Sequence, residues 1–264
     1  MKKLFLFDID GTILDGSRDM KHVSKKTIYA INELSKDNYV FIASGRCKGL
    51  LDKEILDLNT NGYILCNGAY AEVNGKQIYA EYFDQETVEK IIKCSIDNNG
   101  FYVLETLNNM YVNDLNAPQF IKFLQGWGKC IEGFEARPVQ EDKYHIAMIG
   151  FSSEEDCIRC ENSFGDFATL ARHNMFKSYD VNINGINKGV GAKRVMKYLD
   201  IKLEDSYCFG DGLNDLEMLQ AVGHPVIMAN ADERIKGYGF EKTYDVLDDG
   251  VYNYLVANKL IKPI

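Results

Sequence analysis

The chain has 264 residues, 46% of them hydrophobic, enough to bury one large core or a core and a smaller domain. Its formal charge of -9 argues against nucleic acid as a main partner, because phosphate backbones are gripped by basic surfaces; small anions held in a local positive pocket stay open. No apolar run approaches a membrane span, and the one after Met1-Lys2-Lys3 breaks at Asp8, too early for an export core, so a cytoplasmic protein is expected.

In chain order, Lys3 to Phe7 suits a strand buried on both faces of a parallel sheet. Asp8, Asp10 and Gly11 stand where that strand must end, the edge at which open parallel sheets place their ligands. Ser24 to Ser35 has helical spacing with Ser24 as N-cap, and Tyr39 to Ala43 is a second strand ending in Ser44-Gly45-Arg46. A helix with Leu50, Leu51, Ile55 and Leu58 on its inner side should follow, then a strand from Tyr63 to Cys66. Asn74-Gly75 predicts a tight hairpin between Tyr70 to Val73 and Lys76 to Tyr82.

From Phe83 to Tyr179 the alternation of strands and helices lapses, as in an α+β unit. Helices are predicted at Thr87 to Asp97, Pro118 to Leu124 and Glu154 to Phe164. Strands are predicted at Phe101 to Glu105, Met110 to Val112, His145 to Phe151, Ala168 to Leu170 and Ser178 to Ile183. Alternation resumes with a helix from Lys188 to Leu199 and a strand at Tyr207 to Phe209, ending in Gly210-Asp211-Gly212-Leu213-Asn214-Asp215. Another helix, a strand at Val226 to Met228, a short helix after Asp232 and a last helix from Asp249 complete the pattern. The fold expected is a doubly wound, Rossmann-like parallel-sheet α/β core from residues 1–82 and 181–264, with residues 83–180 an inserted α+β cap.

The seven cysteines are odd in number and scattered, which argues against a disulfide framework. Cys157 and Cys160 form a lone Cys-x-x-Cys with no second ligand pair and read as structural. The residues at strand ends and helix starts are more telling. Asp8 with Asp10 and Asp211 with Asp215 are enough carboxylates for a hard cation, and magnesium takes one or two of them plus substrate phosphate. Ser44 beside Gly45 is an anion site, and Lys188 supplies a point charge for phosphate. Cation, carboxylate nucleophile, hydroxyl and ammonium are what phosphoryl transfer needs.

In these motifs the sequence resembles the haloacid dehalogenase superfamily of phosphatases, and within it the Cof-type subfamily with a large cap between the second and third motifs. The motifs are Asp8-Ile9-Asp10-Gly11-Thr12, Ser44-Gly45-Arg46, Asn187-Lys188-Gly189 and the run from Gly210 to Asp215. Asn187 stands where the subfamily often has serine. The resemblance implies that Asp8 attacks phosphorus to form an aspartyl phosphate and that Asp10 serves as general acid and then base. It implies magnesium held by Asp8, Asp211 and the backbone carbonyl of Asp10. Phosphate would be held by Ser44, Lys188, Asn214 and the amides of Ile9 and Gly45. Asp215 would orient Lys188 or a metal-bound water, and Thr12 would fix the Asp10 loop.

The substrate implied is a small phosphorylated metabolite, such as a sugar phosphate, hydrolysed in the cytoplasm without membrane or nucleic acid. A phosphotransferase or phosphomutase on the same core is a rival reading. A receiver-like module phosphorylated on aspartate is another; a second acid two residues after Asp8 and a cap of about a hundred residues stand against it. Arg172 and His173 are candidates for reading the rest of the substrate. Arg46 reads as a tie for its own loop, and His145 as packed or solvated.

Overall fold

The computed structural model describes residues 2–127, 131–137, 142–173 and 176–264. In order these form β1 (Leu4–Phe7), α1 (Lys25–Ser35), β2 (Tyr39–Ala43), α2 (Lys53–Leu56), β3 (Gly62–Leu65), β4 (Tyr70–Val73) and β5 (Lys76–Ala80). There follow α3 (Gln85–Asp97), β6 (Phe101–Glu105), β7 (Met110–Val112), α4 (Pro118–Trp127), β8 (Phe134–Ala136), β9 (Ile146–Gly150), α5 (Glu154–Ser163), β10 (Thr169–Arg172) and β11 (Ser178–Asn182). The chain closes with α6 (Lys188–Leu199), β12 (Ser206–Gly210), α7 (Leu216–Leu219), β13 (His224–Ile227), α8 (Glu233–Lys236), β14 (Glu241–Lys242) and α9 (Gly250–Ala257). They divide into two compact units, one of Met1–Gly45, Leu51–Tyr79 and Asn187–Ile264, the other of Arg46–Leu50 and Ala80–Ile186.

The first unit carries an eight-stranded sheet in the order β14-β13-β12-β1-β2-β3-β4-β5. From β14 to β3 every pairing is parallel, and β3 to β4 is antiparallel. Strand β1 shows why its sequence is apolar throughout. Leu4 and Leu6 join a buried cluster with Ala192, Val195 and Met196 of α6 and Met218 and Leu219 of α7. Phe5 and Phe7 stack on Tyr207 and Phe209 of β12, with ring centroids 4.8 and 5.0 Å apart, and Phe209 meets Tyr254 of α9. Helices on both faces keep β1 apolar throughout, and the buried Ser206 at the start of β12 donates its hydroxyl to the Leu203 carbonyl at 2.6 Å.

Local chemistry sets the boundaries. Ser24 caps α1 by accepting from the Thr27 amide at 3.1 Å. Asn74 and Gly75 both have positive φ, 49° and 75°, as the two-residue turn between twisted strands requires. The helix expected after Ser44 is broken. Leu50, Leu51, Ile55 and Leu58 are buried, but Asp52 is extended and only Lys53–Leu56 is α-helical.

The second unit has a six-stranded sheet, β10-β11-β9-β6-β7-β8, antiparallel except between β7 and β8. Residues from α3 and α5 cluster with Tyr102, Leu104, Ala147, Ile149, Tyr179 and Val181 on one face. Phe120 and Phe123 of α4 lie against Phe101 on the other. Arg46–Leu50 counts with this unit, the Gly49 amide donating to the Leu107 carbonyl at 3.1 Å. Among the described residues no helix is long and apolar enough to cross a membrane.

Gly68, in the turn after β3, has φ 93°, and a methyl group there would sit 2.1 Å from the Asn187 carbonyl oxygen. At Gly75, φ is also positive but nothing lies within 4 Å. Gly75→Ala should therefore cost about 1 kcal/mol, the backbone penalty alone, and Gly68→Ala about 2–4 kcal/mol. Urea unfolding measures both; equal losses would show that the approach of the Gly68 turn to α6 is not tight.

Candidate active site

Four adjacent strands, β12, β1, β2 and β3, end along one edge of the first unit's sheet. Phe7 is in register with Ile42 and Phe209, so Asp8, Ser44 and Asp211 all follow within two residues of one row. Lys188 joins them from the first turn of α6, whose start is fixed by Asn187. The Asn187 side chain accepts from the Val190 amide at 2.9 Å, the capping role that serine would otherwise fill.

The Lys188 side chain is fully buried, and its Nζ donates at 2.7 Å to Asp8 Oδ1 and at 2.7 Å to Asp215 Oδ1. Burial pulls the ammonium down, but Asp215 and Asp8 outweigh it and hold it charged, above the ordinary lysine value. Asp215, equally buried, is engaged through both oxygens. Its Oδ2 accepts from the Asp211 and Gly212 amides, both at 3.0 Å. It thus holds the lysine and shapes the Asp211 loop together.

Asp8, Asp211 and Asp215 each offer a carboxylate oxygen, all within 4.8 Å of one another. One ammonium does not neutralise three carboxylates at that range. Burial, then Asp215, pushes Asp8 up to about 7 against the pull of Lys188. Burial, then Asp8, pushes Asp211 up to about 9. A carboxylate pair so frustrated suits a hard divalent cation. With Asp215 committed, Asp8 and Asp211 are the residues with oxygens to give. Gly11 makes room: a methyl group there would lie 2.0 Å from Asp211 Oδ2.

Thr12 is buried and its hydroxyl donates to Asp211 Oδ1 at 3.3 Å, tying the loop that carries Asp10 to that carboxylate. Ile9 is buried and its carbonyl gathers the amides of Thr12, Ile13 and Leu14 at 3.0–3.2 Å, which curls the loop back on itself. Asp10 and Asn214 have exposed side chains, and Gly45 is partly buried. Ser44 is buried, its amide bound to the Ile64 carbonyl at 2.9 Å.

Arg46 is buried and donates to the Leu50 carbonyl at 3.4 Å, tying its own loop. His145 binds the Glu81 carbonyl at 2.7 Å and packs on Tyr82. Arg172 pairs with Glu154. His173 has both ring nitrogens engaged, with Ser178 Oγ at 2.7 Å and Asp180 Oδ1 at 2.9 Å. Cys157 and Cys160 are buried on α5, and Cys130 lies outside the described residues.

Two further residues take roles at this edge that the sequence does not assign them, although Asn230 opens a tail, Asn230 to Lys236, that resembles the same subfamily. Asn230 donates to the Gly11 carbonyl at 2.7 Å and accepts from the Val246 amide at 2.9 Å, bracing the Asp10 loop from the far end of the chain. Asn67 is buried beside Gly45, and its amide donates to the Ser44 carbonyl at 3.2 Å. Each follows a strand.

Residues 5–255 match the family described as haloacid dehalogenase-like hydrolase. The Bacillus subtilis (strain 168) protein YkrA is 28% identical, over 94% of this chain and 95% of its own. The HMP-PP phosphatase of Yersinia pestis (strain Pestoides F) is 27% identical, over 89% and 87%. The solved structure of a subclass IIB sugar phosphatase of the same superfamily superposes with a TM-score of 0.84 at 26% identity, over 98% of this chain and 100% of that one.

Because Asp8 and Asp211 bind protons more tightly folded than unfolded, the stability they contribute is complete below pH of about 4 and fades as pH rises through their raised values. In chelator, the melting midpoint should drop from about pH 5 to about pH 9. Asp211→Asn should flatten that slope. A slope unchanged in the variant would show that Asp211 is ionised throughout.

Proposed function

The chain belongs to the haloacid dehalogenase-like hydrolases, and from that membership we propose that this enzyme is a magnesium-dependent phosphatase acting on a small phosphomonoester through an aspartyl phosphate on Asp8. The observation that carries the reading is the ammonium of Lys188 wedged between Asp8 and Asp215, beside Asp211. Lys188 fixes one oxygen of Asp8, so the carboxylate is held still with its other oxygen available to attack. Asp8, Asp211 and the carbonyl of Asp10 would hold the ion, which supplies positive charge against the phosphoryl oxygens.

In this reading Asp8 forms a bond to phosphorus while the ester oxygen departs with a proton from Asp10. Asp10 then takes a proton from water, which attacks the phosphoaspartate and frees phosphate and Asp8. Asp10 lies on the exposed side of its loop and outside the three-carboxylate cluster, a fitting place for a group that exchanges protons. The Ser44 hydroxyl, the amides of Ile9 and Gly45, Lys188 and Asn214 hold the phosphate. Thr12 and Asp215 act behind them, through Asp211 and Lys188. Substrate choice falls to the second unit, since the first holds the residues of the chemistry. Similarity to an HMP-PP phosphatase and a sugar phosphatase supports a small phosphorylated metabolite as substrate.

Phosphate release from a panel of phosphorylated metabolites is the direct test. Asp8→Asn should abolish it while leaving the melting curve cooperative, because an amide is not a nucleophile. Product that is an isomeric phosphate ester, with no free phosphate, would instead make the enzyme a mutase.

Asp10→Asn separates the two acids. A sugar alkoxide needs a proton to leave and p-nitrophenolate does not, so single-turnover phosphorylation should slow by roughly 10²–10⁴-fold for the sugar phosphate and far less for the aryl ester. Equal slowing of both would remove Asp10 from the general-acid role.

A further inference from the structure

The six described cysteines are reduced, and two of them face each other in the second unit. Cys94 lies in the last turn of α3 and Cys160 on α5, helices whose residues share one buried cluster. Their sulfurs are 3.1 Å apart. A disulfide measures about 2.05 Å, so an approach of about 1 Å would close the bond.

The two thiols differ in access. Cys160 is fully buried, whereas Cys94 is partly exposed. Ser163 Oγ stands 3.8 Å from Cys94 Sγ and Asn98 Nδ2 stands 3.9 Å from it, polar groups suited to a thiolate. The hydrogen bond from Cys160 leads in holding the Cys94 thiol down at about 7, and the same bond pushes Cys160 up.

We propose that Cys94 and Cys160 are a modification site at which a hydroperoxide forms a reversible disulfide, stapling α3 to α5. The Cys94 thiolate attacks one peroxide oxygen, the O–O bond breaks, hydroxide departs and a sulfenic acid is left on Cys94. The Cys160 sulfur then attacks the Cys94 sulfur, and the expelled hydroxyl leaves as water with the proton from Cys160. Two thiols and one hydrogen peroxide become one disulfide and two waters, the sulfurs losing the two electrons that the peroxide gains. A dithiol reductant reverses the step by exchange. The staple closes a long loop within one unit and so restricts its unfolded state.

The test treats the intact protein with equimolar hydrogen peroxide, alkylates the remaining thiols and maps the peptides without reduction. A peptide pair joined through Cys94 and Cys160 is expected, with two thiols lost and the melting midpoint raised by roughly 5–15 °C. Dithiothreitol should reverse all three changes. Cys94→Ser should show none of them yet melt with the wild type in dithiothreitol, and Cys157→Ser should still form the link. Sulfinic acid on Cys94 without a linked peptide, or a link from Cys94 to Cys157 or Cys130, would overturn the proposal. Should Cys94→Ser melt early even in reductant, the wild-type peptide map still decides.

Discussion

The candidate site is organised around one buried ammonium. Lys188 touches a carboxylate 180 positions earlier in the chain and another 27 positions later, and all three groups are removed from water. Charges buried in this way are expensive to desolvate and contribute little to stability unless every remaining lone pair is met. Here Asp215 accepts from Lys188 and two amides, whereas burial and neighbouring carboxylates hold Asp8 and Asp211 above the usual carboxylate range. Those two carboxylates take up protons in place of a second cation. The polypeptide supplies one cation and leaves room for another.

Much of this was legible from residues alone, and for a physical reason. Strands β1, β2 and β12 are buried on both faces, so their sequences are apolar runs that stop abruptly where the polar edge begins. The abrupt stops carry Asp8, Ser44 and Asp211. What stayed hidden lacked such contrast. β8 and β14 are three and two residues long at sheet edges, and their exposed positions show no alternation. Asn230 reaches Gly11 across 219 residues, a contact no local pattern can signal. The continuous helix expected after Ser44 is interrupted because a 3-10 turn at Lys48–Leu50 gives way to an extended Asp52, while Leu50, Leu51, Ile55 and Leu58 are still buried.

The two units divide the constraints. The first gathers Asp8, Ser44, Asp211 and Lys188 at strand ends and one helix start. In the second, Arg172 and His173 are engaged by Glu154, Ser178 and Asp180, so their types are set first by their own neighbours. Relatives of 25–28% identity that match most of this chain include enzymes named for different substrates. Such divergence is accommodated where residues answer to local packing rather than to a reacting phosphorus.

The order of strands has a consequence for a chain made from its amino end. β1 lies between β2 and β12, and β12 begins at Ser206. At about 5–20 residues per second, roughly 10–40 s separate the emergence of β1 from that of its second neighbour. Through that interval one edge of an entirely apolar strand has no native partner, while the second unit, nearly continuous in sequence, can already fold. In the nascent chain, β1 therefore waits roughly 200 residues for the strand that covers its second edge.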